Sequence, residues 1–257
     1  MTAILEARNL HKQFGAVTAA NDICASINQH SVVGLIGTNG AGKTTFVNMV
    51  TGYLKPSSGS ILFAGRDITS LAPRDITRLG IARSFQIPQL YDTLTVHDNL
   101  VIALGIVLRN GKPSWFSKLP AQVPGHNATL EEVVETLLGK FNLLDYRDRE
   151  ARILPQGVRK QLDIAMAMAA KPQVLLLDEP TSGVAAEEKF GIMDMIMNAV
   201  RAEKVTVLFV EHDMDIVAKY SDRVLAFYDG RIIADQAPQD ALNNADVQRY
   251  VTGKRHA

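Results

Sequence analysis

Residues 32–36, Val-Val-Gly-Leu-Ile, form an apolar run that stops at Gly37, Thr38, Asn39, Gly40, Ala41, Gly42, Lys43 and Thr44. The spacing is G-x-x-x-x-G-K-[ST], and a helical pattern through 44–52 follows it. A buried strand, a glycine-rich turn and a helix in that order predict a strand inside a mostly parallel sheet with the helix laid against it. The glycines allow backbone N–H groups to turn inward around phosphate oxygens, and the helix N-terminus adds partial positive charge. Lys43 is placed to reach the β- and γ-phosphates, and the Thr44 hydroxyl to ligate Mg²⁺, with Thr45 beside it among the binding residues.

Two further apolar runs end in charge. Residues 174–177, Val-Leu-Leu-Leu, present Asp178 and Glu179. Such a strand end suits a carboxylate that holds Mg²⁺ through water, Asp178, and a second that activates or orients a water, Glu179. Residues 207–210 lead in the same way to Glu211, His212 and Asp213, which nominates His212 as a γ-phosphate contact. Gln86 follows the apolar stretch 81–85 between the two phosphate motifs, as a ligand for Mg²⁺ or for the attacking water. Phe14 stands between two early strands, where an aromatic ring can stack on a nucleotide base.

The rest of the chain alternates in the same style and predicts an α/β fold. Strands are expected at 4–10, 23–27, 32–36, 60–63, 81–85, 173–177, 205–210, 223–228 and 231–234, the last two joined at Asp229-Gly230, a tight-hairpin signal. Helical patterns cover 44–52, 96–108, 130–140 and 159–170, and the last stretch reads as short helices. Residues 109–127, with three prolines, Trp115 and Phe116, read as a loop or an inserted segment that meets a partner. Of the 257 residues 47% are apolar, enough for a sizeable core, and 27 basic residues balance 27 acidic ones. That balance argues against a nucleic-acid-coating role. The single cysteine, Cys24, argues for a reducing compartment. The longest clean apolar run, 100–108, is far short of the ~20 residues a membrane helix needs. A cytoplasmic location is expected, with any membrane part supplied by other chains.

Taken together, these motifs resemble the nucleotide-binding subunits of ATP-binding-cassette transporters from about Leu5 to Gly253. Phe14 falls at the adenine-stacking position, Gly37 to Thr44 at the Walker A loop, and Gln86 at the Q-loop. Val174 to Glu179 falls at the Walker B strand and His212 at the switch histidine. Residues 154–158, Leu-Pro-Gln-Gly-Val, occupy the signature position, where Leu154 and Gly157 match the usual L-S-G-G-Q and Pro155 does not. An aspartate usual after Glu-Pro-Thr-Ser is Ala185 here. These departures imply either drift within a subfamily or a pair of unequal ATP sites. Residues 80–86, 94–100 and 243–253 are most similar to the ATPases of branched-chain (hydrophobic) amino acid importers.

The resemblance implies a P-loop NTPase fold with a RecA-like core, an antiparallel β subdomain and an α-helical subdomain. It divides the chain into a core at 1–86 and 171–240, a helical part at 87–170, and a tail at 241–257. It also implies ATP hydrolysis with Mg²⁺ and head-to-tail pairing with a second cassette. Two transmembrane permeases and, indirectly, a periplasmic binding protein are implied at the cytoplasmic face of the inner membrane. Urea or short-amide import, lipopolysaccharide export, and a non-hydrolysing regulatory subunit are the alternatives.

Overall fold

The computed structural model describes residues 2–109 and 128–253. The chain begins with a hairpin, β1 (Ala3–Phe14) and β2 (Val17–Asn28), turning at Gly15. Both strands run beyond the apolar stretches that predict them. Their polar ends are carried by cross-strand pairing, down to Phe14 opposite Val17, rather than by burial. Next come β3 (Val32–Gly37), α1 (Lys43–Val50), β4 (Ser58–Phe63), β5 (Arg66–Asp67), α2 (Pro73–Leu79) and β6 (Ile81–Ser84). The middle of the chain is helical, with α3 (Val96–Arg109), α4 (Leu130–Lys140) and α5 (Gln156–Met168). The remainder alternates: β7 (Val174–Asp178), α6 (Ala186–Ala202), β8 (Thr206–Val210), α7 (Met214–Tyr220), β9 (Arg223–Tyr228) and β10 (Arg231–Gln236). Two short helices, α8 (Pro238–Asn243) and α9 (Ala245–Val247), and a π-helical turn at Gln248–Thr252 close the described part. The segment expected to be an insertion lies, apart from Arg109 at the end of α3, outside the described residues.

The strands form two sheets. One has four antiparallel strands in the order β2-β1-β4-β5. The other has six, in the order β10-β9-β3-β8-β7-β6, parallel except for β10 at its edge. Every residue of β3, β7 and β8 is buried, which is why these three read as unbroken apolar runs rather than alternating ones. The period of two is still present. Val32 and Ile36 join one hydrophobic cluster with the helices α3 to α7. Val33 and Leu35 join a second with α1 and the four-stranded sheet. Leu175 and Leu177 divide from Val174 and Leu176 in the same manner. The large sheet is thus clad on both faces, as a parallel sheet must be.

Because β3, β7 and β8 are parallel neighbours, their C-terminal ends lie side by side. Leu35 pairs with Val210, and Val210 with Asp178. The residues that follow these strands are Thr38, Glu179 and Glu211 with His212. Open α/β sheets carry their ligand crevice at this edge. Among the described residues no helix is long and apolar enough to cross a membrane.

Candidate active site

The loop from Gly37 to Gly42 can exist only with glycine at its ends. Gly37 has φ +153°, and a Cβ there would come within 2.5 Å of the Phe227 carbonyl oxygen. Gly42 has φ +105°, and a Cβ would meet the Ala19 carbonyl oxygen at 2.9 Å. Both contacts are with backbone, which cannot move aside. The Ala41 carbonyl accepts from Gly230 N at 3.1 Å, so the hairpin turn before β10 holds the loop from outside. Lys43 is buried, and its ammonium donates to the carbonyls of Gly37 at 2.6 Å and Thr38 at 3.0 Å. Burial pushes its pKa down, against the opposing pull of Glu179 and Asp178. Thr44, by contrast, is exposed at the start of α1.

Three side chains from distant parts of the sequence meet opposite this loop. Glu179 sits just beyond β7 at φ +50°, its N–H donating to Val210 O at 3.0 Å. Its Oε2 accepts from Gln86 Nε2 at 2.8 Å, and its Oε1 lies 3.1 Å from His212 Nε2. Since a carboxylate oxygen can only accept, this geometry puts the imidazole proton on Nε2. Gln86, Glu179 and His212, each nominated from the sequence, are therefore brought together. Leu154 and Gly157 lie elsewhere, at the entry to α5. Leu154 is buried, and Gly157 is close enough to α6 that a Cβ would meet Ile192 Cδ1 at 3.2 Å. Phe14, at the end of β1, keeps 52% of its surface exposed, with the Lys12 ammonium 5.2 Å from the ring centre.

Four charged residues not nominated by the motifs complete the site. Arg83 forms an ion pair with Asp178 at 2.8 Å, with both side chains buried, and donates to Asn48 Oδ1 at 2.6 Å. Its guanidinium also packs against the Phe85 ring at 4.9 Å. Glu211 is buried and accepts from both the N–H and hydroxyl of Thr181 and from the His212 N–H. Lys160 and Asp163, one turn apart on α5, bond to the backbone around Gln86. A charge within a short apolar strand, as at 83, and a pair at i and i+3 on a buried helix face are weak signals in sequence. They become legible only when the strand or face is known to be buried.

Among the described residues no group of three or more His, Cys, Asp or Glu side chains forms a metal cluster. What the loop and the strand ends offer is a hydroxyl, an amide and a carboxylate. That donor set fits Mg²⁺, which keeps water and phosphate oxygens in most of its coordination positions.

A twisted parallel sheet with a phosphate-cradling loop after one strand and paired carboxylates after its neighbours defines a nucleoside-triphosphate hydrolase. A family model described as ABC transporter matches residues 20–182, and the chain belongs to that family. It is an ABC ATPase, the ATP-binding and ATP-hydrolysing part of a membrane transporter. The chain is 34% identical over 251 residues to the high-affinity branched-chain amino acid transport ATP-binding protein LivG of Salmonella typhimurium, covering 98% of each. It is 33% identical over 251 residues, again 98% of each, to the corresponding protein BraF of Pseudomonas aeruginosa. Among solved structures it resembles the ADP conformation of MJ1267, an ATP-binding cassette of an ABC transporter. The TM-score is 0.81 at 31% identity, covering 97% of this chain and 98% of that one.

Proposed function

We propose that this ATPase powers the uptake of branched-chain or related hydrophobic amino acids from the cytoplasmic face of the inner membrane. The observation that carries the catalytic part is the convergence of Gln86 and His212 on the two oxygens of Glu179. The solute rests on full-length similarity to LivG and BraF. In this reading residues 1–86 and 171–240 form the core, 87–170 the helical part and 241–257 a tail.

Phosphates of ATP enter the loop formed by Gly37, Thr38, Asn39, Gly40, Ala41 and Gly42, with Thr45 behind Thr44. Lys43 then exchanges the Gly37 and Thr38 carbonyls for phosphate oxygens, while Phe14 offers its exposed ring to the adenine. Mg²⁺ would be held by Thr44, Gln86 and, through water, Asp178, and would neutralise phosphate charge. Glu179 takes the proton of the attacking water, and His212 both fixes that carboxylate and faces the γ-phosphate. Gln86 donates to Glu179 through Nε2 and keeps Oε1 for the metal, so one side chain can serve both groups.

Leu154 and Gly157, at the entry to α5, address the nucleotide of a second cassette across the pair. A groove of about 860 Å³ lined by Tyr53, Phe85, Gln89, Tyr91 and Ile106 receives a cytoplasmic helix of one of two permeases. A periplasmic binding protein delivers the solute to those permeases. The test is uptake of radiolabelled leucine by vesicles containing this chain, a second cassette and the two permeases, with the binding protein outside. ATP-dependent accumulation, abolished by Glu179→Gln, is expected. Hydrolysis that leucine fails to stimulate, with another solute doing so, would reject the amino-acid assignment.

A further inference from the structure

Lys160 is only 2% exposed, yet its ammonium faces backbone oxygens. It donates to the carbonyls of Gln86 at 2.5 Å, Glu179 at 3.2 Å and Phe85 at 3.4 Å. Three residues on, and so on the same face of α5, Asp163 accepts from the N–H groups of Phe85 at 3.0 Å and Gln89 at 3.2 Å. One turn of one helix therefore grips both polarities of the backbone that carries Gln86. The same ammonium also touches the backbone of Glu179. Burying an ammonium is costly unless it is well partnered, and burial does pull the Lys160 pKa down. Filling a core needs neither charge, and a leucine at 160 would hold neither loop.

The placement along α5 matters as much. The helix opens at Gln156, and Gly157, the residue assigned to the partner's nucleotide, stands one turn before Lys160. A rigid helix moves its first and second turns together. Any shift of the α5 entry is thus passed within a few ångströms to the carbonyls of Gln86 and Glu179.

We propose that Lys160, seconded by Asp163, is a positioning residue. It sets Gln86 and Glu179 in register with the entry of α5 and so links the partner's ATP site to this chain's own hydrolytic carboxylate. The proposal rests on the assignment of Glu179 as the water-activating group. Neither side chain touches nucleotide, so their loss should leave ATP affinity alone and lower the rate of the chemical step. A misplaced general base costs about a hundredfold per ångström at the upper end.

The experiment uses the full-length chain assembled with its membrane subunits, and compares the parent with Lys160→Met, Lys160→Arg, Asp163→Asn and Glu179→Gln. Single-turnover hydrolysis, ATP affinity, the thermal midpoint and amide hydrogen exchange at 85–89 are measured for each. Lys160→Met should slow hydrolysis about tenfold to a hundredfold with ATP affinity within about twofold, and should speed exchange at 85–89. Lys160→Arg should recover much of the rate. Added to Glu179→Gln, Lys160→Met should lower the residual rate no further, because both act through one carboxylate. A Lys160→Met protein that hydrolyses at the parent rate, or whose 85–89 exchange is unchanged, overturns the proposal while leaving Glu179 in place. Parent-rate hydrolysis by Glu179→Gln overturns the catalytic reading itself. A Lys160→Met protein that loses ATP affinity and thermal stability in equal measure, with no rescue by arginine, shows a structural role only.

Discussion

Replacing Arg83 by methionine should destabilise the fold, because it removes the counter-ion of a buried carboxylate. The guanidinium lies 2.8 Å from Asp178, with 8% and 9% of the two side chains exposed. Methionine keeps the apolar stem and removes the charge, leaving a buried carboxylate without its counter-ion. Breaking a buried pair in this way costs about 3–5 kcal/mol. Loss of the bond to Asn48 at 2.6 Å adds roughly 1 kcal/mol, so the ion pair dominates. For a domain of this size the two losses together correspond to a fall in Tm of roughly 8–24 °C. The assay is urea unfolding followed by far-ultraviolet circular dichroism, with Asp178→Asn and the double variant completing a cycle. The double variant should lose at least about 2 kcal/mol less than the sum of the singles, because neither leaves an orphaned charge once both are gone. A loss under about 1 kcal/mol for Arg83→Met, or strict additivity in the cycle, would refute the argument.

Lys43→Ala should lose ATP affinity as well as turnover, whereas Glu179→Gln should bind ATP normally and slow hydrolysis by about a hundredfold to ten-thousandfold; equilibrium binding beside steady-state ATPase assays separates the two. Ala185 is the N-cap of α6 and provides no side-chain cap, so Ala185→Asp should raise stability by roughly 0.5–2 kcal/mol, read as a higher urea midpoint at unchanged slope. Burial raises the Asp163 pKa from 3.8 to about 6. Unfolding then releases a proton between those values, and its contribution to stability is complete below about pH 4 and lost as pH rises through about 6. The whole effect is about 3 kcal/mol, from about 1.36 kcal/mol per unit. Urea titrations from pH 4 to 7 should therefore show the parent losing ground to Asp163→Asn across that window, and a constant difference would count against it.

A helix is legible where a cap residue stands before a long periodic run. α4 begins at Thr129, whose side chain exchanges hydrogen bonds with Glu132 in a capping box, and its predicted limits, 130–140, are the observed ones. α6 is longer, Ala186–Ala202, yet went unpredicted. It starts at an alanine with no capping side chain, which leaves Glu187 and Glu188 in the first turn as the local mark of the place. α2 and α7 carry such marks, Pro73 and Gly80 for one and the Asp213 cap for the other, but at seven residues each they are too short to show a helical period. α5 begins at Gln156, three residues before the predicted start at 159, because Pro155 is itself the cap position and carries no signal beyond its own ring.

Short stretches of residues are enough to specify the loop from Gly37 to Thr44, the buried strands before it and before Asp178 and His212, and hence the edge of the sheet on which chemistry sits. Those features are local. A glycine forced to positive φ, or a strand buried on both faces, leaves its mark within a few residues. What surrounds the carboxylates is set by long-range packing. Gln86 reaches Glu179 across 93 positions and Arg83 reaches Asp178 across 95. Lys160 joins α5 to two loops at once. Such pairings depend on strand order, β6 beside β7 and β8 beside β3. That order is set by how the apolar faces of separate elements fit together, and no short stretch of residues encodes it.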